Sequence, residues 1–226
     1  MIYIELFTFF QKEMSRLHKT GKLVCMLCLV AASLVLSMHP GFSSPRINTS
    51  DLSQESLWIS LDLPAEKREK VDGIINDEYK QVKILQKNML ITDLSNFNTL
   101  YRLTNYMKKM SDIRTTTNNR ILSILSPEQQ FAFENLLATK QQANEKTTAT
   151  MLALNLTSKQ QIIIVNLMLQ SQKNVWATIA DTSLSWEKRT KKLHTNIFSK
   201  ISAFLTKDQR IMMNTWLQYD DGTIGN

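Results

Sequence analysis

The chain has 226 residues, with 27 basic and 20 acidic side chains for a net charge of +7, and 43% of it is hydrophobic. That length fits one sizeable domain or two small ones. Only two cysteines are present, Cys25 and Cys28, so a disulfide framework is excluded for everything downstream, and the excess of positive charge is too modest to demand nucleic acid.

Residues 1–43 read as a secretory signal peptide. Arg16, Lys19 and Lys22 form a basic start, the 16 residues from Leu23 to Met38 form an apolar stretch, and Gly41-Phe42-Ser43-Ser44 offers small residues for cleavage. The apolar stretch is short against the ~20 residues that a membrane span needs. An uncleaved anchor is the alternative, and Met14 is a second candidate start. The Cys25-x-x-Cys28 spacing lies inside this segment, without a helix N-terminus or loop to activate a thiol, so a targeting role outweighs a redox one. Removing residues 1–43 leaves 23 basic and 18 acidic residues, a net charge of +5. A chain without cysteine in an oxidising compartment must be stabilised by packing alone.

Residues 44–56 are rich in Ser and Asn and are expected to be disordered. Beyond them no glycine occurs from Ile74 to Asp221, and Pro127 is the one proline in that span. So few breakers predict an all-α fold. Apolar stripes agree: Val71, Ile74 or Ile75, Tyr79, Val82 and Leu85 share one helix face, and Leu103, Met107, Met110 and Ile113 another. The β-branched run Ile162-Ile163-Ile164-Val165 continues into Leu167-Met168-Leu169 without a turn, which favours a buried helix over a strand.

A short phrase returns three times: Leu125-Ser126-Pro127-Glu128-Gln129, Leu156-Thr157-Ser158-Lys159-Gln160 and Leu205-Thr206-Lys207-Asp208-Gln209. The hydroxyls of Ser126, Thr157 and Thr206 can accept from the third helical N–H, while Gln129, Gln160 and Gln209 reach back to the cap; each copy predicts a helix start. A degenerate copy stands at Leu61-Asp62-Leu63-Pro64-Ala65-Glu66, where Pro64 suits a first helical turn. Self-alignment groups the copies into two units, 57–142 and 151–218, the first longer in its middle around Ile91 to Tyr106. The polar run Gln141 to Thr150 is the expected boundary, unless it is an exposed stretch of continuous helix, and residues 219–226 read as a flexible tail.

Leu154-Asn155-Leu156-Thr157-Ser158-Lys159-Gln160 together with the phrases at 125–129 and 205–209 resembles the LTXXQ-motif (Spy/CpxP-like) family of bacterial periplasmic proteins. The resemblance spans most of the chain after the signal. It implies long helical hairpins paired into a thin cradle, a periplasmic location, and binding of unfolded or partly folded clients without ATP. Family members form the cradle from two chains. Here the two tandem units imply a monomer with an intramolecular pseudo-dimer, or else a homodimer.

Catalytic signatures are not evident: the sequence has no phosphate loop, no nucleophile elbow, and after the signal a single histidine, His194, too few for a transition-metal site. No enzyme activity, cofactor, metal or nucleic-acid partner is expected, nor membrane insertion once the signal is cleaved. Asp72, Asp77 and Glu78 read as a solvated face beside Lys70 and Lys80. Candidate partner-binding residues are Trp186, Lys188, Arg189, Lys191 and Lys192 in the second unit and Lys108, Lys109 and Arg114 in the first, set against the plainer reading of solvated helix faces. Met107, Met110, Met151, Met168, Met212 and Met213 can fill core gaps or form an adaptable surface, core filling being favoured; Trp176, Trp186 and Trp216 read as packing anchors. Two functions follow: a chaperone or envelope-stress accessory protein, or an interaction protein docking on one specific envelope or exported partner. N-terminal sequencing of the protein recovered from the envelope is expected to start near Ser44; a start at Met1 or Met14 would indicate an anchor instead.

Overall fold

Few helix breakers and several built-in caps produce long helices. The computed structural model describes residues 53–87, 89–193 and 197–218, and every regular element among them is helical. A short 3-10 helix, Gln54–Ile59, precedes α1 (Ala65–Gln86), α2 (Phe97–Leu122), α3 (Pro127–Ala153), α4 (Ser158–Ile179), α5 (Trp186–Leu193), α6 (Ile197–Ser202) and α7 (Lys207–Gln218). The fold is all-α, as the glycine-poor sequence predicts. The expected signal peptide with Cys25 and Cys28, residues 44–52, His194 and the tail 219–226 lie outside the described residues, as does the side chain of Trp216.

All three repeated phrases form reciprocal capping boxes. Gln129 N donates to Ser126 Oγ at 3.3 Å while Ser126 N donates to Gln129 Oε1 at 3.0 Å. Thr157 and Gln160 start α4 in the same way, and Thr206 and Gln209 start α7. Pro64 precedes α1 without a side-chain cap, and Asn96 caps α2 by accepting from the N–H groups of Asn98 and Thr99. At the end of α3, Asn155 adopts φ 45°, the left-handed conformation that Asn tolerates better than most residues and that terminates helices.

The glutamines also join helices to one another. Gln160 Nε2 donates to Phe204 O at 3.0 Å and to Gln209 Oε1 at 2.8 Å, and Gln209 Nε2 returns a bond to Leu154 O at 3.0 Å. The equivalent place in the first unit pairs Lys67 Nζ with Gln129 Oε1 at 2.8 Å. A neighbouring contact repeats as well: Arg68 Nε donates to Leu63 O, and Gln161 Nε2 to Leu156 O. Each unit therefore ties its opening phrase to its closing phrase.

Three apolar clusters form the interior. The largest is centred on Trp58 of the 3-10 helix and takes Val71, Ile75 and Val82 from α1, Met110 and Ile121 from α2, Phe133 from α3, Trp176 and Ile179 from α4, and Trp186 and Leu193 from α5. A second joins Met151 and Leu154 to Ile164, Phe198, Ile201, Leu205 and Met213. The smallest packs Ile91 and Leu94 of the α1–α2 connection on Leu103 and Val165. The units at 57–142 and 151–218 are thus not separate bodies, because α4 and α5 of the second complete the core of the first.

Two expectations are corrected. Residues 54–56, assigned to a disordered segment, form the first half of the 3-10 helix, with Glu55 fully buried. The reason is pairing: Glu55 Oε1 accepts from Arg114 Nε at 2.7 Å and from Trp176 Nε1 at 3.1 Å. The expected boundary at 141–150 is not a break: the alternative of continuous helix holds, since α3 runs through it, although Asn144, Thr147 and Thr150 within it are buried. The run Ile162–Val165 lies within α4, the helix that its capping box predicts.

Replacing Gln209 by Ala removes half a capping box and the bond to Leu154, and is expected to lower stability by about 1–2 kcal/mol in urea denaturation. Because Gln160 and Gln209 touch, the double alanine variant should cost less than the sum of the two single variants.

Candidate functional site

The eight partner-binding candidates fall into two groups. Arg189 is buried, and its guanidinium forks onto Asp72 with Nη1–Oδ1 and Nη2–Oδ2 distances of 2.7 Å, Nη1 also donating to Ile179 O. Trp186 is buried beside it and donates from Nε1 to Asp72 at 3.2 Å, with the guanidinium carbons of Arg68 and Arg189 lying 5.3 and 5.9 Å from its ring centroid. Arg114 is held by Glu55. Arg114, Trp186 and Arg189 are therefore structural, and the expectation that they meet a partner is corrected: each docks one helix on another. Lys108, Lys109, Lys188, Lys191 and Lys192 remain exposed.

The carboxylates expected on a solvated face are likewise engaged. Asp72 receives Arg189; Glu78 is buried and bound by Arg120 at 2.8 Å; Asp77 is exposed and shared between Lys80 and Arg120, whose proximity holds its pKa below the usual carboxylate value. Among the described residues no group of three or more His, Cys, Asp or Glu side chains could hold a metal ion, and no helix is long and apolar enough to cross a membrane. Met110, Met151 and Met213 fill the core; Met107 and Met168 are half-buried, and Met212 is exposed.

The most distinctive surface feature is an open cleft of ≈ 420 Å³ where the end of α1 and the following connection meet α4. Met89, Leu90, Ile162, Ile163, Leu167 and Leu169 supply its apolar wall, with Gln86, Tyr106, Asn166, Gln170 and Lys173 as the polar complement. Asn166 holds one side open: its Oδ1 accepts from Ile91 N at 3.0 Å and its Nδ2 donates to Ile91 O at 2.7 Å, so the side chain mimics a strand pairing with the connection. Tyr106 donates to Gln172 Oε1 at 2.6 Å, and burial pushes its hydroxyl pKa up to about 12. Apolar exposure concentrates nearby in sequence: Ile84 is 74% exposed and Leu90 64%, while Phe97 and Tyr101 stack with centroids 6.5 Å apart in the first turns of α2.

Sequence reasoning missed this cleft. Its signal was the first half of α4, where Ile162-Ile163-Ile164-Val165 and Leu167-Met168-Leu169 carry more apolar side chains than one helix face can bury. No protein family, no curated protein and no solved structure matches the chain.

Replacing Arg189 by Met strands the Asp72 carboxylate in a largely buried position and is expected to cost about 3 kcal/mol of stability by denaturant titration. Lys188→Ala, one residue away on the exposed face, should change it by less than about 0.5 kcal/mol.

Proposed function

We propose that the chain is a periplasmic, ATP-independent binding protein for partly unfolded polypeptides, a chaperone or envelope-stress accessory of the LTXXQ-motif kind. The observation that carries this reading is the open, apolar-walled cleft beside α4, whose wall includes the exposed Leu90. A contiguous apolar surface with a polar rim suits segments that are buried in a folded client and exposed in an unfolded one. Met89, lining the wall, adapts its shape to different sequences at little cost. Lys173 at the rim, with the exposed lysines 108, 109, 188, 191 and 192, adds longer-range attraction for acidic segments.

In the same reading the two units pair inside one chain to form the cradle that two chains form in the family. The matching contacts at Lys67/Gln129 and Gln160/Gln209 support the repeat itself, and the packing of Trp176, Ile179, Trp186 and Leu193 into the first core supports the contact between the units.

In a light-scattering assay at low salt, stoichiometric protein is expected to suppress aggregation of several unrelated clients. The double variant Leu90→Glu, Ile163→Glu, which charges the cleft wall, should weaken suppression by at least about tenfold while leaving the circular dichroism spectrum unchanged. Equal suppression by the variant would remove the cleft from the mechanism. Absence of suppression by the parent protein, with capture of one tight envelope partner instead, would favour the single-partner function.

A further inference from the structure

The cleft beside α4 has two unlike ends. Its α4 wall runs from Ile162 to Lys173, eleven positions or ~16 Å along the helix axis. Ile162, Ile163 and Leu167 line the first part and the connection contributes Met89 and Leu90, so the side chains there are aliphatic. Lys173 lies at the other end; it is exposed and forms no ion pair among the described residues. Tyr106, the one aromatic residue in the lining, is buried, with its hydroxyl donating to Gln172. The charge is one-sided as well. α4 carries no acidic side chain, and α1 carries none after Glu78. Asp93 of the connection does not line the cleft and accepts from the N–H and the hydroxyl of Ser95. An ammonium at the end of an aliphatic trough, with no carboxylate to neutralise it, complements a molecule that is apolar along its length and anionic at one end.

We propose that this cleft binds a single-chain fatty carboxylate, its hydrocarbon chain lying along Leu90, Ile162, Ile163 and Leu167 and its carboxylate pairing with Lys173. Volume sets the chain: a cavity of ~150 Å³ accepts the six carbons of benzene, so ≈ 420 Å³ has room for a chain of about a dozen or more, and a two-chain lipid is too large. Charge sets the head group. One lysine balances one negative charge, whereas a phosphate monoester brings nearly two and would leave the excess beside an apolar wall. Shape favours a flexible chain over a ring system, because the wall presents aliphatic side chains and its single ring is buried. Met89 is half-buried, and its unbranched side chain adjusts to the chain that lies against it. The site coincides with the one proposed for clients but rests on the lining alone, not on client binding.

The test is isothermal titration calorimetry with decanoate, kept below its micellar concentration at neutral pH. Saturable binding of one decanoate per chain is expected in the sub-millimolar range, as suits a ligand of about twelve non-hydrogen atoms. Decyltrimethylammonium, with the same chain and the opposite charge, should bind at least about tenfold more weakly. Butyrate, which keeps the carboxylate but little of the chain, should give no measurable binding. Lys173→Glu changes an exposed side chain and leaves the fold in place; it should weaken decanoate at least about tenfold and tighten decyltrimethylammonium, an exchange of preference that a merely structural lysine would not produce. Non-saturating heats, equal binding of the two charged amphiphiles, butyrate binding as tight as decanoate, or an unchanged preference in Lys173→Glu would each overturn the proposal. Because no client is present, failure here leaves the chaperone reading standing, and a protein that binds decanoate without suppressing aggregation would lose that reading and keep this site.

Discussion

A carboxylate with no solvent exposure lies at the centre of the helical assembly, and the arrangement around it follows from the need to keep that charge paired. Stranding an ionised Glu in the interior would cost several kcal/mol. Glu55 avoids this by accepting from Arg114 on α2 and Trp176 on α4, which fixes those two helices relative to the 3-10 helix that carries it. The adjacent Trp58 packs edge-on against Trp176, centroids 5.1 Å apart, and donates its indole N–H to Asn118. A six-residue turn thereby touches α1, α3, α4 and α5. Buried ion pairs specify geometry more dependably than they stabilise it.

The second ion pair follows the same logic with different elements. Asp72 of α1 receives both a planar guanidinium fork and an indole N–H from α5, a geometry that lysine cannot reproduce. One residue of the basic run, Arg189, is therefore consumed inside the protein, and the three lysines remain at the surface. The alternation is helical: Trp186, Arg189 and Leu193 share the inward face of α5, while Lys188, Lys191 and Lys192 take the outward one.

The fold class and the helix starts were legible because they are local. A capping box occupies four consecutive residues, and an absence of glycine is visible by inspection. Pairing across the chain was not legible, since nothing near Glu55 in sequence announces Arg114, 59 positions away, or Trp176, 121 away. For that reason a Ser-rich segment read as disordered contains a central structural element, and acidic residues read as solvated include the partners of Arg120 and Arg189. The cleft was hidden for a related reason: periodicity shows that α4 has more apolar surface than one face, but not which part of it the α1–α2 connection leaves uncovered. Of the partner-binding candidates, the five lysines stayed available because long ammonium side chains favour water, whereas the arginines and tryptophan offered geometries that the interior could use.

The continuity of α3 has a mechanical consequence. A helix of 27 residues is about 40 Å long, and this one places Phe133 in the first core and Met151 in the second. It acts as a strut common to both cores, so neither can loosen its end of α3 without straining the backbone hydrogen-bond ladder that the other relies on. Motion between the two ends is confined to bending of that strut instead of rotation about a loop, which keeps the surfaces at either end at a nearly constant separation.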